Sequence, residues 1–225
     1  MFFSGLNQFF KFIILLIGLF NHSTDMRLLQ YTTLIICILV ANFANAGAQK
    51  EEPLSNSVKS LMQKSISDKV APRLVFASDI EGETWLYDMS NRLKKRITND
   101  DYRVEFLQSV QYEASRAGLD PQLVLGLIQV ESGFKKYAVS SVGARGYMQV
   151  MPFWVHSIGA KDHNLFYLRL NLRYGCTILR HYLDIEHGDL YRALGRYNGS
   201  LGQPQYPNLV VGAWRKNWQY PARKF

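Results

Sequence analysis

Cysteine is nearly absent, with two in 225 residues, Cys37 and Cys176. Cys37 lies in an apolar run near the N-terminus. Ile35 and Ile36 precede it where a lipidation site has small residues, so it reads as one more apolar member of that run. One thiol then remains for the rest of the chain, which excludes an internal disulfide there. Stability has to come from a hydrophobic core, and a chain of this length can build one. Cys176 keeps helical register with Leu172, Leu179 and Leu183, and no histidine stands beside it for nucleophilic work, so packing is its expected role. The histidines lack the spacing of a metal site such as H-E-x-x-H, so neither metal nor cofactor is expected. No convincing alternating strand pattern and no internal repeat occur, which points to a mostly α fold. Acidic residues are outnumbered, 18 against 26 Lys plus Arg, for a formal charge of +8. The basic residues are dispersed, without a recognition-helix or ribonucleoprotein pattern, so nucleic acid is not the expected partner. The one tight cluster, Arg92 to Arg96 (RLKKR), reads as a solvated face or linker.

Long apolar runs are also scarce. FFKFIILLIGLF is about 12 residues, short of the roughly 20 that span a bilayer. From Met26, MRLLQYTTLIICILVANFANA has a basic residue, an apolar centre and small residues at Ala44 and Ala46. That is the layout of a secretory signal peptide cleaved after Ala46. Residues 1–46 are therefore expected to be an upstream extension plus signal peptide with Met26 as the true start, the alternative being a tandem membrane anchor. Losing Lys11, Arg27 and Asp25 with that segment leaves +7. A basic exported protein suits an anionic polymer.

Residues 47–99 read as a linker and N-terminal helical extension, the part up to about 80 being polar, with weak periodicity and one short helix. Val104, Leu107, Val110 and Ala114 mark a helix ending at Gly118. The segment GYMQVMPFWVHSIG suggests a short helix. Asn164 is placed to cap a long helix to about Leu183, and Asp189 to open another, LYRALGRYN.

The most informative stretch runs from Asp120 to Pro152, DPQLVLGLIQVESGFKKYAVSSVGARGYMQVMP. Asp120 is a good N-cap and Pro121 suits the first turn, so an apolar helix should end near Ser132, broken by Gly133. Glu131 closes it. Desolvation and the negative end of the helix dipole both disfavour a carboxylate there, raising its pKa as a proton donor requires. A lone Glu at a helix end is more often a solvated surface residue, so the pattern alone makes Glu131 a candidate general acid and no more.

Glu131, Ser132 and Phe134, then Ala138 and Ser140, then Gly143, Ala144, Gly146, Met148, Gln149, Met151 and Pro152, and finally Tyr197 and Asn198, occur in the order of a known family. The chain resembles the soluble lytic transglycosylases, which are related in fold to goose-type lysozyme. The resemblance implies a lysozyme-like helical domain with a substrate groove over 100–225, acting on peptidoglycan glycan strands. It implies that Glu131 alone first protonates the oxygen between N-acetylmuramic acid and N-acetylglucosamine. Glu131 then deprotonates the muramic C6 hydroxyl, which closes a 1,6-anhydro ring. Ordinary glycosidases need a second carboxylate. Asp120, Asp162, Asp184, Glu186 and Asp189 all lie at turns or helix ends outside the motifs. A hydrolytic muramidase and a non-catalytic glycan-binding protein are the rival readings.

By the same resemblance Met148 and Gln149 line the groove, Tyr197 hydrogen-bonds Glu131, and Asn198 orients the acetamido group or the helix end. Ser132 either contacts the leaving sugar or caps the helix, Tyr197 is otherwise a core tyrosine, and Phe134 packs under the site. Gly143 and Gly146 admit a sugar or a turn. Tyr147, Arg196 and the run RYNGSLG depart from the family pattern, which bears on subsite detail. A monomer in the periplasm or cell envelope is expected, serving general wall turnover or a secretion or pilus apparatus.

Overall fold

The computed structural model describes residues 49–68 and 70–220. The signal-peptide reading and Cys37 lie outside them. Eight α-helices and one π-helix follow one another: α1 Asn56–Ile66, α2 Asp79–Leu93, α3 Asp100–Arg116, α4 Pro121–Glu131, α5 Phe153–Ile158, α6 Leu168–Ile185, α7 Leu190–Asn198, α8 Gln205–Ala213 and the π-helix Trp214–Trp218. Among the described residues there is no strand, only isolated bridges at Val139–Arg145 and Arg145–Val150. The fold is mostly α, as the missing alternation predicts.

The centre is α4. Its N-cap is Asp120, whose carboxylate accepts from the Gln122 N–H at 2.7 Å, and Pro121 opens the first turn. Leu123 to Ile128 are all buried, so the helix is apolar on every side, as a helix enclosed by others must be. It packs against α3, α8 and the π-helix. Gly126 makes the last contact possible, since a Cβ there would stand 2.8 Å from the Trp214 backbone nitrogen. Each fully buried leucine contributes roughly 1.5–3 kcal/mol, so this helix is a main source of stability.

Around it, α6 packs against α1, α3 and α7, and α2 against α3. Glu113 on α3 is fully buried and held by Arg173 of α6 at 2.8 Å and Arg116 at 3.1 Å. Arg173 also donates to the carbonyls of Ile66 and Asp68, tying the end of α1 into the same network. Cys176 is buried in α6, with its thiol pushed well up by desolvation.

The polar stretch before residue 80 is more ordered than a linker. α1 buries Met62 and Ile66, and the next helix, α2, places Trp85, Met89 and Leu93 in the core. α1 is the one short helix expected in this stretch, and its apolar face is narrow, with Leu61 left 68% exposed. One expectation, the start of the long helix, needs correction, since it does not start at Asn164. That side chain accepts from the Phe166 N–H at 2.9 Å in a local turn, and α6 begins at Leu168 and runs to Ile185. The aromatic stretch after residue 204 holds α8 and the π-helix. By contrast Asp189 does cap Leu190–Asn198 through the Arg192 N–H. Among the described residues no helix is long and apolar enough to cross a membrane.

Candidate active site

Glu131 is the last residue of α4, and Ser132 occupies the C-cap. Gly133 (φ 57°) and Phe134 (φ 67°) follow in left-handed conformation, so the chain leaves the helix abruptly. An aromatic residue rarely adopts that region, and Phe134 is held there by packing, its ring 5.3 Å from Trp218 and 6.0 Å from Phe106. It packs beneath the helix end, as expected.

Glu131 as a residue is 8% exposed. Its Oε1 accepts a hydrogen bond from the Tyr206 hydroxyl, and its Oε2 is buried with no partner. Desolvation raises its pKa to about 8, and the Tyr206 hydrogen bond opposes the rise. Burial, not a neighbouring carboxylate, sets the shift. The other buried carboxylates among the described residues are Glu113 and Glu186. Each is held by two arginines, Glu186 by Arg192 and Arg196. An acid that stays protonated at neutral pH, with one oxygen free, can donate a proton to a bound oxygen atom.

Beside Glu131 the loop 138–150 is wound by its own backbone. Arg145 and Val150 exchange both N–H···O bonds at 3.0 Å, and Gly146 N–H donates to Ala138 O at 2.9 Å. Gly143 (φ 89°) turns the chain in open space. Gly146 (φ 76°) sits where a Cβ would come within 2.4 Å of Asn171 Nδ2. Gln149 adopts φ 47°, a conformation that costs a non-glycine residue energy and persists when its surroundings fix it.

The roles that resemblance gives the motif residues need revision. Tyr197 donates to the Met148 carbonyl at 2.7 Å, and the phenol on Glu131 is that of Tyr206. Tyr197 still lies within electrostatic reach, since the Glu131 charge, after burial, raises its pKa. Met148 does not line a groove; it is fully buried, with its side chain where a Cβ on Gly175 of α6 would collide. The Gln149 amide donates to the carbonyls of Ala138 (3.1 Å) and Gly146 (2.9 Å), so both its N–H groups are used within the loop. Ser132 donates to the Tyr147 carbonyl at 2.8 Å and lies 3.2 Å from Ile128 O, which favours the capping role. Asn198 is buried at the end of α7, before Gly199 (φ 84°). Ser132 thus ties the loop to the end of the helix that carries Glu131, Met148 anchors it on α6 and α7, and Gln149 braces it from within. Tyr147, one of the departures, adds to this by pairing its hydroxyl with Tyr102 at 2.8 Å.

Tyr206 is the residue that sequence reading missed. The only local signal is its place between Pro204 and Pro207, where α8 begins. Replacing it with Phe removes the bond that favours the ionised carboxyl, so the Glu131 pKa should rise further. The alkaline limb of kcat/KM should then move to higher pH, and a pH profile of the Tyr206→Phe variant that coincides with wild type would contradict the contact.

Residues 108–208 match the transglycosylase SLT domain family. The transglycosylase of Enterobacteria phage PRD1 is 33% identical over 103 residues, covering 46% of this chain and 38% of that protein. The membrane-bound lytic murein transglycosylase C of Actinobacillus pleuropneumoniae serotype 5b (strain L20) is 48% identical over 48 residues, 21% of this chain and 13% of that protein. Its namesake in Haemophilus influenzae (strain PittEE) is 44% identical over 48 residues, with the same coverage. The chain thus spans less than two fifths of the length of these relatives.

Proposed function

We propose, from the match of residues 108–208 to the transglycosylase SLT domain family, that the protein is a peptidoglycan lytic transglycosylase with Glu131 as its single acid and base. The observation that carries the reading is the burial of Glu131, with a pKa near 8, one oxygen unpartnered, and every other buried carboxylate among the described residues neutralised by arginine.

The chemistry proceeds in two proton transfers. Protonated Glu131 gives its proton to the glycosidic oxygen as the muramic C1–O bond breaks. The departing N-acetylglucosamine carries that proton as a new hydroxyl. The carboxylate left behind, disfavoured by its dry setting, takes the proton of the muramic C6 hydroxyl as that oxygen bonds to C1. Glu131 is protonated again and no water is consumed. Tyr206 steadies the transient carboxylate and fixes its orientation, since its bond favours the charged form. Such a cycle works best when the acid's pKa lies close to the working pH, which a value near 8 satisfies. The substrate places the site of action in the cell envelope.

Digesting purified sacculi and weighing the muropeptides without prior reduction tests this. The expected product ends in 1,6-anhydro-N-acetylmuramic acid. A dominant product heavier by one water would mean that water attacks C1, and would replace the transglycosylase by a muramidase.

A further inference from the structure

Gln129 stands two residues before Glu131 on α4, about 200° around the helix and about 3 Å along its axis. Its Oε1 accepts from Trp218 Nε1 at 2.8 Å and Asn217 Nδ2 at 3.1 Å. With that oxygen engaged by two donors, the amide N–H₂ is what Gln129 has left to offer, and it has no acceptor among the described residues. Gln129 also lines an open cavity of about 970 Å³. Arg92, Lys95 and Arg96 enter the wall from the end of α2 and the turn after it, and Arg215 and Lys216 from the π-helix. The RLKKR cluster, read from sequence as solvated or linker, thus meets a second basic pair from far along the chain.

Among the described residues no carboxylate lines the cavity. Arg92 is braced by Asp88 at 2.6 Å and by the carbonyls of Gln219 (3.0 Å) and Asn217 (3.2 Å), which pins α2 to the π-helix. Arg96 lies over the Phe134 ring, 5.4 Å from its centroid. Lys95, Arg96, Arg215 and Lys216 have no ion pair among the described residues. Four unpaired like charges around one concave surface, with the Asp88-paired Arg92 beside them, repel one another and concentrate a positive field there. The π-helix that presents two of them is a rare conformation, frequent at functional sites. The arrangement is a cavity of hydrogen-bond donors with a strong preference for an anion.

We infer that this cavity binds the carboxylates of the peptide stems borne by the glycan strand being cut, so that the enzyme prefers peptide-bearing strands to bare ones. The inference rests on the peptidoglycan reading above. The volume exceeds what one phosphate or sulfate needs and falls within the range of sites for larger ligands. A stem of five residues reaches up to about 17 Å from its sugar, ample to span from a muramic residue at Glu131 to a wall formed by Gln129. Because the stem is attached to the sugar, the second contact forms at high effective concentration, and modest individual ion pairs then add to selection. Guanidinium forks match carboxylates in pairs, and the mobile lysines adapt to a flexible chain.

The test uses the full protein and the double variant Lys95→Gln/Lys216→Gln, both positions being exposed and outside the core. Calorimetry measures binding of N-acetylmuramyl pentapeptide, of N-acetylmuramic acid, and of inorganic triphosphate. The pentapeptide should bind about tenfold more weakly to the variant, with the bare sugar unaffected. Unchanged pentapeptide affinity would overturn the inference, and so would triphosphate binding more tightly than pentapeptide, since the site would then serve phosphates. In turnover, the variant should lose about tenfold in kcat/KM on stem-bearing strands and nothing on strands stripped by an amidase. Equal loss on both would mean unspecific charge attraction and overturn the inference. The binding arm needs no catalysis, so a stem site can stand if the anhydro product fails to form, and can fail while that product appears.

Discussion

Glu131→Gln should lose about 10²–10⁴-fold in turnover, the range that a positioned general acid or base supplies, and more if both proton transfers rest on this one group. The amide keeps the shape of the carboxyl and can still accept from Tyr206, so the fold and glycan binding should persist. The same variant should become more stable than wild type at alkaline pH. In the unfolded chain Glu131 ionises near 4.5, and in the folded protein near 8. Between those values the folded protein holds a proton that the unfolded chain has released. Stability is therefore highest below about pH 4.5 and falls as pH rises toward 8, above which the loss is complete. At about 1.4 kcal/mol per unit the loss approaches 5 kcal/mol as an upper bound. In a chain of this size that is roughly 10 °C in melting temperature. Glutamine has no proton to lose, so the gain of the variant over wild type should be small at pH 5 and reach its full value by pH 9. Sacculus clearing and melting curves across that range check both halves. Clearing at the wild-type rate would remove Glu131 from catalysis, and parallel melting profiles would deny its buried, protonated state.

The cost of ionising Glu131 follows from where the sequence places it, at the buried end of a helix. The helix was legible because local signals agreed. Asp120 caps it, Pro121 opens it, an unbroken apolar run demands enclosure, and Gly133 ends it. Asp189 and Leu190–Asn198 were legible for the same reason. Tyr206 was not, because its partner is 75 residues away and nothing local marks a tyrosine that points at a carboxyl. The joining of Arg92–Arg96 to Arg215–Lys216 was invisible on the same ground, since only the packing of α2 on the π-helix creates it. Met148, Gln149 and Tyr197 were legible as residues that matter but not as to why. A motif records that a position is constrained, and a buried loop with strained backbone constrains side chains as tightly as a sugar would.

If the motif serves the loop, its most sensitive point is Gly146, and Gly146→Ala should destabilise the protein by about 2–5 kcal/mol while abolishing activity. Two costs combine. A Cβ at φ 76° is unfavourable by about 1–2 kcal/mol. It would also lie 2.4 Å from Asn171 Nδ2 and 2.6 Å from the Leu165 carbonyl, an overpacking typically of about 1–3 kcal/mol. Asn171 cannot yield freely. Its Nδ2 donates to the carbonyls of Arg145 (2.9 Å) and Leu165 (2.8 Å), and its Oδ1 accepts from Met148 N–H at 2.8 Å. Moving it would release the stretch whose Met148 carbonyl receives Tyr197 and whose Tyr147 carbonyl receives Ser132 beside Glu131. The melting temperature should fall by roughly 10 °C. Gly143→Ala is the control. Its φ of 89° carries the backbone cost, but nothing lies within 4 Å of its Cβ, so it should lose only about 1–2 kcal/mol and retain activity. Chemical denaturation of the two variants side by side decides the matter. Equal losses would mean that backbone strain alone explains these glycines and that Asn171 does not lock the loop to the helix bearing the acid.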